Sequence, residues 1–511
     1  MHSIWLVFAI AVLSSSVRGG QIGDLFYEIA DGQVAITYCE RAAEGNLEIP
    51  AEIEGLPVTS IGDEAFYGCR SLTSIIIPDS VTSIETQAFN KCTSLTSVNI
   101  PGGVISIRSQ TFNNCYSLAS VTIPDSVFTI EDMAFSKCQG LKSIIIPSSV
   151  TRIARYAFEH CYGLTSLTIG TKHIEQGAFF NCINLESVTI SDSVMNIGRG
   201  AFSLCSSLTS ITIGEGVTSI GPGAFGSISS LTSVTVDLGN SNYKSSDGVV
   251  FSKDGSVIVY FPAGKAGVYT IPDTVTSIGA SAFGGCSSLT SVTIPDTVTS
   301  IGDSAFGGCS SFTSITIPDG VTSIGHRVFS GCSGLKWINI HDGVTSIGDA
   351  AFYRCTDLFF MIIPQGVTSI GAGAFTGCTG LVSMAVPDSV TSIGDGAFSG
   401  WMDQALITIP QQFHSQSEAT RLGLGRLWAS RFFLPNSANP TPKLSIKLSI
   451  RPTEKLQLVL TGGQNTIAIV EAADYVTGPW SVWKTFRIGR KTTYVYDLHE
   501  GAEKRFYRVR D

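Results

Sequence analysis

The sequence predicts a β-rich solenoid of short parallel strands and single helical turns, followed by a small C-terminal all-β domain. The first observation is a unit of 23 residues that recurs fourteen times, for example at residues 298–320. A fixed period of this length indicates a structure in which each unit buries its apolar face against its neighbours. The second observation is the alternation of apolar and polar residues within each unit, and again after residue 441, which is typical of strands.

A phenylalanine, usually preceded by alanine, anchors every unit. Successive anchors are 23 residues apart, except for steps of 21 between Phe158 and Phe179 and of 58 between Phe225 and Phe283. We expect each unit to add about seven apolar side chains to one continuous core. The fourteen anchors are Phe66, Phe89, Phe112, Phe135, Phe158, Phe179, Phe202, Phe225, Phe283, Phe306, Phe329, Phe352, Phe375 and Phe398.

Three stretches of each unit predict local structure. Leucine stands six residues after most anchors, and Ile or Val nine and eleven residues after them, as in Leu72, Ile75 and Ile77. This L-x-x-[IV]-x-I pattern is that of the strand of a leucine-rich repeat, in which inward and outward side chains alternate. A turn follows, and then a V-x-x-I pair such as Val321 and Ile324 predicts a second short extended segment. The A-F-x-x-C stretch is too short for a full helix and predicts a single helical turn.

Twelve of the thirteen cysteines lie three residues after an anchor. The two remaining units place Ile228 and Trp401 there. A position that accepts Cys, Ile or Trp is a buried apolar position, in which free Cys packs as a small hydrophobic side chain. The pattern therefore predicts a ladder of unbridged cysteines, although exported proteins commonly form disulfides. No C-x-x-C pair occurs and no His spacing suits zinc, so we expect no metal and no cofactor.

The N-terminus predicts export. Residues 4–13 form a short apolar core, which small residues and a plausible cleavage point after Gly19 follow. A retained membrane anchor is the alternative, but the stretch is short for a membrane helix. We therefore assign residues 1–20 to a signal peptide. After its removal we expect no membrane span, and a location outside the cell or at the cell surface.

The remaining boundaries follow from where the repeat begins and decays. Residues 21–50 are expected to form an N-terminal cap, and residues 51–400 the solenoid of fourteen repeats with an insert at about 237–270. Residues 401–440 are expected to form a C-terminal cap and linker, in which residues 417–428 predict a short helix.

Residues 441–511 are predicted to form a separate small domain that is β-sandwich-like. Segments of alternating polarity at 456–460, 466–470 and 493–496 indicate antiparallel strands. Tryptophans Trp480 and Trp483 lie in this domain and could stack on sugar rings, although packing in the core of a small sandwich would also explain them.

The recurring phrase I-P-D-S-V-T-S-I-G-x-x-A-F-x-x-C-x-x-L-T-S-V-T-I-P resembles the BspA-like leucine-rich repeats of bacterial and protist surface proteins. The resemblance covers residues 45–401, and residues 53–61 look like the first repeat of that family. The interruption that begins at residues 242–251 resembles an insert that recurs in the family, so we expect a coil that carries a hairpin. The resemblance implies an exported protein with a role in adhesion or in binding host or environmental proteins.

Charge and motifs argue against other functions. The net charge is −9, but residues 401–511 hold 15 Lys and Arg against 9 Asp and Glu, which is +6 and leaves −15 for the rest. Nucleic acid is therefore an unexpected partner of the acidic solenoid. Residues 221–226 match G-x-G-x-x-G, but Phe225 is a repeat anchor and the strand–turn–helix context is absent. The chain also lacks HExxH, GxSxG and P-loop motifs, so no enzyme is predicted.

Exceptions to the repeat supply the candidate binding site. The outward position eight residues after the anchor is Ser in eleven of thirteen units, and the exceptions are the neighbouring Trp337 and Phe360. With Phe359 and Ile362 beside them, we expect an apolar patch on the concave face. Exposed apolar patches commonly mark interaction sites, and Trp is favoured in them. Local packing against the C-terminal region, or degenerate repeats, are the alternatives.

The sequence thus predicts a monomeric, non-enzymatic leucine-rich repeat protein that binds an extracellular protein or another cell-surface macromolecule through its solenoid. One alternative is a structural spacer or display stalk for the C-terminal module. Another is glycan binding by that module.

Overall fold

The computed structural model describes residues 18–359, 361–381, 383–401, 406–413 and 415–424, together with the backbone of six strands between 445 and 510. The chain divides into two compact units, residues 1–430 and 431–511. None of the helices in the described part has the length and hydrophobicity that a membrane-spanning segment needs.

The first unit is the predicted solenoid of parallel strands. In most coils, the strand after the anchor pairs in register with the equivalent strand of a neighbouring coil, so that Thr168 lies opposite Thr189 and Ser187 opposite Ser210. Equivalent side chains of successive coils therefore lie side by side, about 4.8 Å apart. The longer strands of this kind are Glu44–Glu48, Ser71–Ile76, Ser97–Asn99, Ser120–Thr122, Ser166–Ile169, Ser187–Ile190, Ser210–Ile213, Ser233–Val236, Gly267–Thr270, Leu289–Thr293, Ser314–Thr316, Trp337–Asn339, Ser383–Ala385 and Leu406–Thr408.

The V-x-x-I pairs form a second set of parallel ladders, from two-residue strands. Their valines and isoleucines point inward, as Val321 and Ile324 do, and meet the isoleucines of the longer strands in the core. The short strands are Ser83–Ile84, Ser106–Ile107, Thr129–Ile130, Arg152–Ile153, His173–Ile174, Asn196–Ile197, Ser219–Ile220, Ser277–Ile278, Ser300–Ile301, Ser323–Ile324, Ser346–Ile347, Ser369–Ile370 and Ser392–Ile393.

The A-F-x-x-C stretch forms consecutive tight turns instead of the expected single helical turn. The Tyr67 amide donates to the Glu64 carbonyl within the coil at 2.8 Å, whereas the Phe66 amide donates to the Ala88 carbonyl of the next coil at 2.7 Å. Left-handed residues lie on both sides of the anchor, at Glu64 (φ 55°) and Gly68 (φ 73°). A right-handed helix cannot continue through them, so this side of the solenoid, the turn side, is a third ladder between coils.

The anchor rings stack through the core in a continuous column. Neighbouring ring centroids are 5.0 to 5.9 Å apart, as for Phe66 with Phe89 and Phe375 with Phe398. Phe352 and Phe375 are tilted by only 1° from parallel. Because each ring is at most 1% exposed, burial of each anchor stabilises the coil by about 2–3 kcal/mol.

The insert between Phe225 and Phe283 continues this column with a different residue. Phe261 is fully buried and stacks on Phe283 at 4.9 Å, and Tyr260 packs edge-on against Phe225 at 5.4 Å. Phe261 is therefore a fifteenth anchor. The expected hairpin is present, because Tyr243–Ser246, Val249–Ser252 and Val257–Tyr260 pair antiparallel in that order. The last of these strands then joins the parallel ladder of short strands.

Both ends of the solenoid are covered. At the N-terminal end Gln33–Cys39 joins the parallel ladder through Leu56–Ile61. The strands of this cap are Arg18–Ile22, Leu25–Ala30, Gln33–Cys39, Glu52–Ile53 and Leu56–Ile61. The predicted cleavage after Gly19 would fall in the first of them, an edge strand whose side chains are almost all exposed.

At the C-terminal end, the 3₁₀ turn Gln411–Phe413 and the helix Gln416–Arg421 cover the last coil. The Gly396 amide donates to the Arg421 carbonyl at 2.7 Å. Arg421 also pairs with Asp395 at 2.9 Å. A short helix therefore lies near the expected place and ends before Gly423, which is left-handed at φ 82°.

The second unit contains two three-stranded antiparallel sheets. One has Leu456–Thr461 between Ser445–Ile450 and Tyr494–Asp497, and the other has Ile467–Ala473 between Ser481–Arg487 and Phe506–Arg510. An arrangement of the two sheets as a sandwich stays a prediction.

Candidate binding surface

The cysteines of the repeat lie in the core, where each thiol meets a backbone carbonyl. All thirteen cysteines are buried and free. The Sγ of Cys92 donates to the carbonyl oxygen of Phe66, one coil earlier, at 3.0 Å, and Cys378 bonds Phe352 in the same way. The expected burial is confirmed. The side chain at this position also donates a hydrogen bond to a backbone carbonyl, although a thiol is a weak donor.

Two other side chains donate an equivalent hydrogen bond, one from the same position and one from the insert. Trp401 replaces the cysteine of the last unit, and its Nε1 donates to the Phe375 carbonyl at 2.9 Å. In the insert, the hydroxyl of Tyr260 donates to the Phe225 carbonyl at 2.8 Å. Among the fourteen units of the repeat, Ile228 is the one residue at this position without a donor group. The description of this position as simply apolar was therefore incomplete.

Burial raises the pKa of several of these thiols. Desolvation raises the pKa of the Cys115 thiol to about 12 and holds the pKa of Cys138 and Cys332 well above the ordinary value. The thiolate is the form that attacks electrophiles and binds metals, so these thiols are inert at neutral pH. Within the described residues, no group of three or more His, Cys, Asp or Glu side chains could hold a metal ion.

The predicted apolar patch lies on the outward side of the longer strands. Trp337 begins the strand Trp337–Asn339 opposite Ser314 and is partly exposed. On the next coil, Phe359 is 51% exposed and Ile362 is 39% exposed. Phe360 lies outside the described residues. The structure thus brings three of the four predicted residues to one side of two neighbouring coils, and we call Trp337, Phe359 and Ile362 the strand-side patch.

The second of these coils keeps the inward register of the repeat. Met361 and Ile363 are buried at 2% and 3% exposure, so Ile362 between them points outward. The Phe359 amide donates to the Lys336 carbonyl at 3.1 Å, which holds the coil beside Trp337. Residues 361–363 nevertheless form no strand, whereas Trp337–Asn339 and Ser383–Ala385 on either side do. The patch therefore lies at an interruption of the sheet.

Most other coils present small polar groups at the equivalent positions. Ser187, Thr189, Ser210 and Thr212 are exposed around the buried Val188 and its equivalents. The strand-side patch differs from this background in size and polarity, as the sequence predicts. Whether this side is concave stays a prediction.

Other exposed apolar side chains lie outside the predicted patch. Ile145 is 85% and Ile76 55% exposed on the same side as the strand-side patch, but both stand alone there. On the short-strand side, Ile105 and Phe128 are 62% and 55% exposed on adjacent coils. Ile105 and Phe128 directly follow the valine of the V-x-x-I pair. Most units have Thr at this position, so these two exceptions are the sequence signal that could have identified the pair.

The predicted glycan site of the C-terminal unit is not described at the level of side chains. Trp480 lies outside the described residues. Trp483 lies within the strand Ser481–Arg487. Glycan binding through these two residues stays a prediction.

Comparison with known proteins agrees with the architecture. The family model described as BspA type leucine rich repeat region (6 copies) matches residues 59–173, 169–263, 261–360 and 345–420. No curated protein matches this chain.

Several solved structures are similar to this chain. A leucine rich cell surface protein from Faecalibacterium prausnitzii A2-165 is 31% identical, with a TM-score of 0.57, over 80% of this chain and 99% of that one. A leucine-rich repeat protein from Bacteroides ovatus ATCC 8483 is 28% identical over 80% of this chain and 98% of that one, with a TM-score of 0.43. A leucine rich repeat protein of T. pallidum is 32% identical over 37% of this chain and 91% of that one, with a TM-score of 0.34.

Proposed function

Because this chain belongs to the BspA-type leucine-rich repeat family, we propose that it is an exported, non-enzymatic protein that binds an extracellular protein or another cell-surface macromolecule. A similar solved structure is that of a leucine rich cell surface protein. Binding takes place on the outward side of the longer strands. Repeat proteins of this kind present extended surfaces, and their function depends on which side chains the surface displays.

The strand-side patch is the observation that carries this proposal. Phe359 and Ile362 remain exposed, whereas the outward strand positions of most coils hold Ser or Thr. Leaving large apolar side chains in water costs free energy that a small polar residue would avoid. A partner that covers Trp337 and Phe359 recovers this free energy, and aromatic residues of this type dominate the binding energy of many interfaces.

The experiment replaces the strand-side patch with the residues that other coils use. Full-length protein with Trp337→Ser, Phe359→Thr and Ile362→Thr is compared with the wild type for binding to intact cells and to a panel of immobilised extracellular proteins. The fold should survive, because Ser and Thr occupy these positions in most units. We expect the triple variant to lose the wild-type binding by at least tenfold.

A matched control uses apolar residues of the same side that stand alone. The Ile76→Thr and Ile145→Thr variant removes two exposed isoleucines from the outward position ten residues after the anchor. It should bind like the wild type. If the triple variant binds as well as the wild type, the strand-side patch is not the binding site. That result would favour the alternative in which the solenoid is a spacer for the C-terminal unit.

A further inference from the structure

A groove lies on the turn side of the solenoid. It encloses about 310 Å³ and crosses the coils anchored from Phe158 to Phe306. Small ligands commonly occupy cavities of this size or larger. Its floor is built from glycine and serine, and Tyr156, Phe180 and Arg199 line it at its N-terminal end. This groove is separate from the strand-side patch, because it lies on the third ladder of the coil.

The floor of the groove is low because glycine stands two positions before the anchor in coils such as those of Gly200 and Gly223. Nine coils place a residue other than glycine there, with φ between 51° and 58°, and Gln87 and Gln110 are examples. The left-handed backbone therefore does not by itself require Gly200 or Gly223. A Cβ at Gly200 would meet nothing closer than 3.8 Å, and one at Gly223 nothing closer than 3.5 Å. Neither backbone strain nor packing therefore explains these two glycines. Because they have no side chain, the space above them is open.

The aromatic end of the groove is held rigidly. The ring of Tyr156 lies over Gly177, where a Cβ would come within 2.3 Å of the ring. Its hydroxyl accepts a hydrogen bond from Gln176 Nε2 at 2.8 Å. Phe180 packs at 5.9 Å from His160 and remains partly exposed. Two aromatic rings are thus fixed beside an open floor.

Arg199 gives the groove its charge. It is the one charged residue among those that line the cavity, it is exposed, and it forms no salt bridge in the described part of the chain. A guanidinium group binds a carboxylate through two parallel hydrogen bonds. An unpaired arginine beside aromatic rings therefore selects a ligand that carries an acidic group.

From these features we infer that the groove binds an acidic glycan, a segment of oligosaccharide with a carboxylate group. Aromatic faces pack against the apolar C–H faces of sugar rings, and Tyr is suited to a surface that is half apolar and half wet. The hydroxyl of Ser203 donates to the Gly226 carbonyl at 3.0 Å, so its oxygen is available to accept a hydrogen bond from a sugar hydroxyl. The groove runs along the stacking direction of the coils, which suits a linear polymer. An apolar peptide finds few apolar side chains on the glycine and serine floor.

The test places glutamine on the floor of the groove, because Gln87 and Gln110 already occupy the same position in other coils. Full-length wild type is applied to an array of glycans with uronic or sialic acids, together with carboxyl-reduced forms of the same glycans. We expect retention of at least one acidic glycan and weaker retention of its reduced form. The Gly200→Gln and Gly223→Gln variant should bind that glycan at least tenfold more weakly in calorimetry.

Two controls separate occupancy of the groove from damage to the fold. Gly373→Gln and Gly396→Gln change the same position, with φ of 60° and 62°, in coils outside the groove, and should leave affinity unchanged. Arg199→Gln should weaken binding of the acidic glycan about tenfold, while binding of the reduced form stays as in the wild type. No retained acidic glycan, or equal binding by the floor-filled variant with an unchanged melting temperature, would overturn the proposal.

Discussion

The indole Nε1 of Trp401 donates a hydrogen bond to the carbonyl oxygen of Phe375 at 2.9 Å. In the preceding coil, the thiol of Cys378 makes the equivalent bond to Phe352 at 3.0 Å. Two side chains that differ greatly in size thus donate to equivalent backbone carbonyls of neighbouring coils. The position three residues after the anchor is therefore defined by a buried donor as well as by apolar volume.

Removing that donor should weaken the C-terminal end of the solenoid. Trp401→Phe keeps a buried ring but deletes the N–H group, which should cost about 1 kcal/mol. Hydrogen exchange of the last two coils should become faster, because terminal repeats open locally. The Phe128→Leu variant, which changes an exposed ring, provides the control. Exchange rates equal to those of the wild type would show that the indole contributes through packing alone.

The thiol ladder should make the protein sensitive to alkaline pH. Folded thiols such as Cys115 have a raised pKa, whereas an unfolded thiol loses its proton near pH 9. Above pH 9 the unfolded chain therefore binds fewer protons than the folded one. The free energy of unfolding should fall between about pH 9 and 12, by up to about 1.4 kcal/mol per pH unit for each such thiol.

Urea unfolding at pH 8, 9 and 10 measures this effect. The Cys115→Ala and Cys138→Ala variant should lose stability less steeply with pH than the wild type, although it is less stable at pH 8. Thiol titration in denaturant should give thirteen thiols before and after reduction. A smaller number before reduction would reveal a disulfide and contradict the unbridged ladder.

Phe261 should behave as an anchor of the repeat. Phe261→Ala deletes a fully buried ring that stacks on Phe283 at 4.9 Å. The loss should be about 3–5 kcal/mol, as for a phenylalanine deleted from a core. Phe128→Ala removes a ring that is 55% exposed, so it should change the melting temperature far less. Similar melting temperatures for the two variants would mean that the insert does not continue the core.

Much of this fold can be predicted from the sequence because every coil repeats the same physical problem. The spacing of Phe66 and Cys69 recurs with the period, so it predicts core positions without knowledge of the fold. Phe261 escaped prediction because Tyr260 precedes it in place of alanine and no cysteine follows three residues later. Its role depends on packing against residues distant in the sequence.

The turn side was harder to predict for a different reason. The pattern around Phe66 is compatible with a helical turn, and only the left-handed conformations of Glu64 and Gly68 exclude it. Non-glycine residues adopt such conformations rarely, so composition gives no warning. The groove near Gly200 depends on the absence of side chains at such positions, which a repeat that accepts many residues there does not reveal. The strand-side patch, in contrast, could be predicted because Trp337 replaces a serine in a regular column.

The most direct test of the proposed function is hydroxyl-radical footprinting of the full-length protein, free and bound to the partner that it captures. Trp337 and Phe359 are partly exposed in the free chain, so both should be oxidised readily. In the complex their oxidation should fall several-fold, while that of Ile145 and Phe128 stays unchanged. Binding that leaves the oxidation of Trp337 and Phe359 unchanged would contradict the assignment of the strand-side patch as the interaction surface.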